Sequence, residues 1–213
     1  VRLYAWKPAA VTIGYFQCLR DEVFDELAAQ QDVPVVRRLT GGGAVFHDDE
    51  ITYSIIAPEE MFEKDILTSY EQICTPIIEA LKELGMDAQF KPVNDILVGQ
   101  RKISGNAQTR RNGVLLQHGT ILFNVDVEKM FGLLKVSKEK VSDKFVQSVK
   151  QVVTSVVTED SSITREKLMQ KLTEKYMQGK EFETSTLSNE ESLRAQKLAQ
   201  EKYSAASWND MRN

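Results

Sequence analysis

Cysteine and histidine are the scarcest chemically versatile residues in this 213-residue chain: two of each, Cys18 and Cys74, His47 and His118. That is too few for a disulfide framework or a self-sufficient zinc site. No run approaches the roughly 20 apolar residues needed to cross a bilayer, and the first residues lack the charged-then-apolar order of a secretion leader. A membrane partner is therefore not expected, and a reducing, cytoplasmic setting is. Positive charge is not in excess either: 27 Lys and Arg stand against 31 Asp and Glu, for a net charge of −4. Bulk binding to nucleic acid is excluded, so any anion site must be local. An opening methionine is missing too. The chain starts with "VRLYAW", already in strand-like alternation, so its natural beginning is expected to lie further upstream.

What is present, 42% hydrophobic residues over this length, suffices for one sizeable core. "VRLYAW", "AVTIGYF", "VPVVRRL" and "ITYSIIA" read as strands, and "LRDEVFDELAAQQ" as one helix with Val23, Phe24 and Leu27 on a common face. From Asp65 to Gly85, Ile66, Tyr70, Ile73, Cys74, Ile77, Ile78, Leu81 and Leu84 recur at helical spacing, with Gly85 as the stop. This places Cys74 in a core stripe. Residues 91–125 read as short strands broken by turns, and the chain after Asp126 as helical, including "SKEKVSDKFVQSVKQVV" and a segment opened by Ser188 and Glu191 in capping-box spacing. The fold class is α+β: a mixed β-sheet with flanking helices, then a helical tail over about 126–213.

Glycine is sparse, with 11 in all, yet Gly41, Gly42 and Gly43 stand together in "VVRRLTGGGAVFHDDE". Ordering three adjacent glycines is entropically costly. A second glycine-containing stretch, Lys91–Gly113, carries Lys91, Arg101, Lys102, Arg110 and Arg111 against Asp95 alone. Bare backbone N–H groups and local cations suit a phosphorylated or carboxylated small molecule. A hairpin turn with solvated charges is the plainer alternative. The triglycine has no Lys-Ser/Thr after it, as a P-loop requires, and runs into a strand instead of opening a helix as a dinucleotide fingerprint does.

"RRLTGGGAVFHD", "VNDILVGQRKISGNAQ" and "LLQHGTILFNVD", in this order, resemble the three signature blocks of lipoate-protein ligases, within the biotin/lipoate ligase-like superfamily. "LYAWKPAAVTIGYFQ" and "EKYSAASWN" are also similar to that family, so the resemblance covers nearly the whole chain. It implies a single catalytic domain over 1–213, without the N-terminal strand and helix usual before the point of Val1, and without a C-terminal accessory domain. It further implies activation of lipoate by ATP and Mg²⁺ to lipoyl-AMP, then transfer of the lipoyl group to a lysine. The acceptors would be apo lipoyl domains of oxo-acid dehydrogenase acyltransferase subunits or the glycine-cleavage H protein. A separate small accessory protein would support the adenylation half-reaction.

By the same resemblance, Lys102 is the catalytic cation between acyl carbonyl and phosphate, a task suited to a compact ammonium. Asn94 and Asp95 would serve the nucleotide, with Asp95 holding Mg²⁺. Gly41, Gly42 and Gly43 would lie along the ligand, where any Cβ would intrude. Gly105 and Asn106 would form a turn that brings backbone N–H groups to the ligand. Arg38 would project toward the anion, while Arg37, its strand neighbour, would face away. His47 and His118 are expected to position ligand or backbone by hydrogen bonds. Val45, Leu116, Ile121 and Phe123 could line an acyl tunnel or simply pack the core.

Two other readings compete. A cysteine-dependent octanoyl or lipoyl transferase needs a thiol near the lysine block, and none lies between Phe90 and Lys102 or after Cys74. A lipoate-binding module without catalysis would not need Lys102 and Asp95 beside the triglycine. The expectation at this stage is ATP-dependent ligation.

Overall fold

The computed structural model describes residues 1–135, 148 and 151–212. Its main sheet has six strands in the order β1 (Arg2–Tyr4), β5 (Glu50–Pro58), β9 (Val114–Leu122), β8 (Arg101–Arg111), β7 (Asp95–Val98) and β6 (Ala88–Lys91). Every neighbouring pair in it is antiparallel. A second sheet holds β2 (Ala10–Ile13) between β3 (Val35–Arg37), which is parallel to it, and β4 (Val45–His47), which is antiparallel. The expected α+β fold with flanking helices holds, its strands divided between two sheets of which the small one is mixed.

Period-two alternation sorts the residues of the main sheet. Along β9, Leu115, Gln117, Gly119 and Ile121 are buried on one face, whereas Leu116, His118, Thr120 and Leu122 take the more open one. The buried face is covered by α3 (Ile66–Glu83), as its spacing predicts. Asp65 caps this helix by accepting from the Thr68 amide at 2.7 Å. Past its end, Gly85 takes φ of +88°, a left-handed geometry natural to glycine. Ile73, Cys74, Ile77 and Leu81 of α3 join Tyr53, Ile103, Leu115 and Ile121 of the sheet, and Leu168 and Leu172 further on, in one core.

Elsewhere the structure corrects the expectations. The segment "LRDEVFDELAAQQ" is two short helices, α1 (Leu19–Glu22) and α2 (Asp25–Gln30). Its helix breaks because Val23 bridges Leu134 and the Phe24 amide donates to Leu133 at 3.0 Å, so tertiary pairing captures the backbone. Residues 101–122 are not short strands with turns but two long ones, joined at Asn112 and Gly113, both with positive φ. Gly105 and Asn106 therefore lie inside β8 and form no turn.

In the tail, α4 (Val127–Leu133), α5 (Val156–Glu159), α6 (Arg165–Met177), α7 (Asn189–Leu198) and α8 (Ala206–Asn209) follow. Ser188 and Glu191 do form the capping box. The helix expected over "SKEKVSDKFVQSVKQVV" falls largely outside the described residues. Among the described residues no helix is long and apolar enough to cross a membrane. The Trp208-Asn209 end returns to the small sheet: the Trp208 indole donates to the Arg37 carbonyl at 2.9 Å, and Asn209 accepts from the Arg37 amide at 2.8 Å.

Candidate active site

A cavity of about 300 Å³ opens between the less buried face of the main sheet and the small sheet. That is near the lower bound for small-ligand pockets. Arg38, Gly42, Gly43, His47, Asn94, Lys102, Gly105, Asn106 and His118 all line it, so segments distant in sequence converge. Gly41 and Asp95 stand outside the lining. The apolar wall comes from Val45, Phe46, Leu122, Met130, Leu134 and Val153. Of the expected tunnel residues only Val45 belongs to it. Leu116 is on the open face but not in the wall, whereas Ile121 and Phe123 pack with the helix-covered core.

Arg38 and Arg37 diverge as strand alternation requires. Arg37 is fully buried and donates to the carbonyls of Gly14, Tyr15, Gln17, Trp208 and Asn209. Arg38 reaches the pocket, but its guanidinium is largely committed to the loop, donating at 2.7 Å to both Gly41 and Gly43 and at 3.2 Å to Thr12. Burial lowers its pKa to about 10, which still leaves it charged at neutral pH. The glycines serve this clamp. Gly42 has φ of +92°, and a Cβ there would press on Arg38; at Gly14 a Cβ would overlap the Gly42 carbonyl. Gly43 faces open space, and Gly41 meets only the edge of Phe16 at 3.9 Å.

Both histidines are held by hydrogen bonds, His47 from two sides. The His47 Nε2 pairs with the Thr12 hydroxyl and Nδ1 with Glu50, each at 2.8 Å, and its ring stacks on Trp6 at 4.2 Å. The Nε2 of His118 meets the Thr40 hydroxyl at 2.6 Å. Its pKa is lowered to about 4, by burial first and then by Arg38 and His47, so it is neutral at physiological pH. Thr12, Thr40 and Glu50 are partners that sequence reasoning missed. Strand pairing of β2 with β4 brings Thr12 to His47, the turn from β4 into β5 brings Glu50 back to it, and the loop after β3 carries Thr40 to His118.

Lys102 extends into the pocket with its ammonium 2.7 Å from Asp95. Gly105 makes the room: a Cβ there would lie 2.9 Å from the Lys102 Cε and Nζ. Asn106 has turned its side chain away. Its Oδ1 accepts from the Tyr53 hydroxyl at 2.6 Å and its Nδ2 donates to the Asn94 carbonyl at 2.8 Å. The Asp95 carboxylate serves Lys102 through Oδ1, and among the described residues no group of three His, Cys, Asp or Glu side chains gathers around it. Neither thiol lines the cavity. Cys74 is in the core, and burial pushes its pKa up to about 12.

Curated relatives include octanoyltransferase LipM of Geobacillus kaustophilus, 32% identical over 240 residues that cover 98% of this chain and 85% of the relative. Octanoyltransferase LipM of Halalkalibacterium halodurans is 30% identical over 237 residues, covering 98% and 86%. Among solved structures, a bipartite lipoate protein ligase from Thermoplasma acidophilum, described with its E2 lipoyl domain, matches with a TM-score of 0.88 at 29% identity, covering 100% of this chain and 84% of that one. A lipoate-protein ligase A bound with ATP matches at 0.80 and 27% identity, covering 95% and 82%. The curated names overturn the expectation of ATP-dependent ligation, since they describe octanoyl transfer. The signature blocks could not decide this, because a bare loop and a carbonyl-directed lysine suit an acyl group whatever activates it. The fold and three converging blocks agree with the lipoyl protein ligase A/B catalytic domain profile, which matches residues 1–177, and the chain belongs to that family.

Proposed function

We propose that this chain transfers an octanoyl or lipoyl group from an activated donor of the thioester class to the ε-amine of a lysine on an acceptor lipoyl domain. The observation that carries this reading is the Lys102 ammonium, held by one carboxylate at the rim of a pocket walled by apolar side chains and bare backbone. The acyl chain would occupy the apolar wall, with its carbonyl toward Lys102. The acceptor amine attacks the carbonyl carbon, and the negative charge developing on oxygen is met by the ammonium. The C–N bond forms, the C–S bond breaks, and the departing thiolate takes up the proton shed by the amine. Arg38 holds the loop during this step. A neutral His118 adds no second positive charge against the incoming lysine.

Because neither Cys18 nor Cys74 lines the cavity, this reading passes the acyl group directly from donor to lysine, with no thioester on the chain itself. The test incubates the chain with an octanoyl-thioester carrier and an apo lipoyl domain and seeks the acyl adduct by mass spectrometry. Transfer is expected with the wild type, and Lys102→Ala is expected to lower its rate at least a hundredfold, in keeping with roughly 3 kcal/mol for one positioned oxyanion partner. Modification only from free acid with Mg-ATP, and none from the thioester, would overturn the proposal.

A further inference from the structure

Tyr53 lies on β5 and Asn106 on β8, with β9 between them, so the two are two strands apart, near 10 Å at ordinary strand spacing. In register, Tyr53 and Asn106 are both partners of Gly119. A Cβ at Gly119 would overlap Asn106 Oδ1 and come within 2.7 Å of Tyr53 Cε1. The glycine thus opens a lane over the middle strand, and the fully buried Tyr53 uses it to donate to Asn106 at 2.6 Å while accepting from Gln117 at 2.7 Å.

Asn106 passes this hold to the lysine. Its backbone amide and side-chain amide both donate to the Asn94 carbonyl, at 3.0 and 2.8 Å, and the Asn94 side chain donates back to the Asn106 carbonyl. Asn94 is fixed by this clasp, and the next residue, Asp95, holds the Lys102 ammonium. Without the Tyr53 hydroxyl, the Asn106 amide keeps its donor contacts but loses the partner of its Oδ1, and a buried acceptor is left unmet. We infer that Tyr53 is a positioning residue for Lys102, acting over Gly119 through Asn106 and Asn94. It touches no substrate. The inference rests on the acyl-transfer reading for its catalytic consequence, though not for its geometry.

Tyr53→Phe keeps the ring and removes only the hydroxyl. Two readouts separate positioning from plain stability. In the transfer assay, kcat is expected to fall about tenfold or more with KM within twofold. In competitive labelling of all lysines with acetic anhydride at fixed pH, Lys102 is expected to label at least threefold faster than in the wild type. A side chain released from its 2.7 Å contact with Asp95 is more accessible to the reagent, and the other lysines serve as the internal standard. If Tyr53→Phe does not fold, Asn106→Ser breaks the same relay at its middle, and Lys102 labelling is read the same way. Unchanged Lys102 labelling in a folded variant overturns the inference, even if kcat falls. Should the wild type show no acyl transfer, the functional proposal fails, and labelling alone decides the role of Tyr53.

Discussion

At the scale of single residues, adjacency decides little and orientation much. Arg37 and Arg38 are the same side chain one step apart, yet the first ties five backbone carbonyls together and the second clamps the pocket loop. Arg37→Met leaves those buried carbonyls without donors and is expected to cost about 3–5 kcal/mol, measured by denaturant unfolding; a loss under 1 kcal/mol would show the acceptors find other partners. His118 gives stability a pH dependence with a definite sign. Its folded pKa is about 4, against roughly 6.5 in an unfolded chain. Below about 6.5 the unfolded state takes up a proton that the folded state refuses. The contribution, fully present above that pH, is lost as pH falls to about 4, by up to roughly 3 kcal/mol. His118→Gln should flatten the melting temperature between those limits, and equal slopes for both proteins would reject the assignment.

Glycine sets what the secondary-structure elements can do here, and the structure adds reasons to those the sequence suggested. The triglycine reads as space cleared for a ligand. In the structure Gly42 serves a positive φ and Arg38, while Gly14, a residue sequence reasoning passed over, lets β2 approach the loop backbone. Gly14→Ala sets a methyl against the carbonyl of Gly42 with neither partner a flexible side chain. It should destabilise by about 1–3 kcal/mol and weaken acyl binding, seen by thermal unfolding and octanoate titration; wild-type behaviour in both would refute the close contact. Helix α3 was legible to within a residue because one apolar stripe, a capping Asp65 and a terminal Gly85 all agree. The first helix was not, since Val23 and Phe24 answer to Leu134 and Leu133 and not to their neighbours.

At the scale of the whole molecule, the two cysteines give the sharpest test of how the acyl group travels. One is buried in the core and the other is off the pocket. The double variant Cys18→Ser, Cys74→Ser is expected to keep transfer within about threefold of wild type, with some stability lost where a hydroxyl replaces the core thiol; a trapped thioester on either cysteine, or a folded but inactive variant, would contradict direct transfer. By itself the sequence determined the family, the blocks that form the pocket and the sorting of Arg37 from Arg38, because motif chemistry and period-two alternation are local properties. Only the tertiary structure decided that there are two sheets, that Asp95 belongs to Lys102, that Asn106 faces Tyr53, and that Thr12, Thr40 and Glu50 hold the histidines. Each of these depends on how strands and loops are placed beside one another: Thr12 and His47, Tyr53 and Asn106, and Thr40 and His118 are 35, 53 and 78 positions apart, and even Glu50, three residues from His47, meets it only because β4 turns into β5 between them.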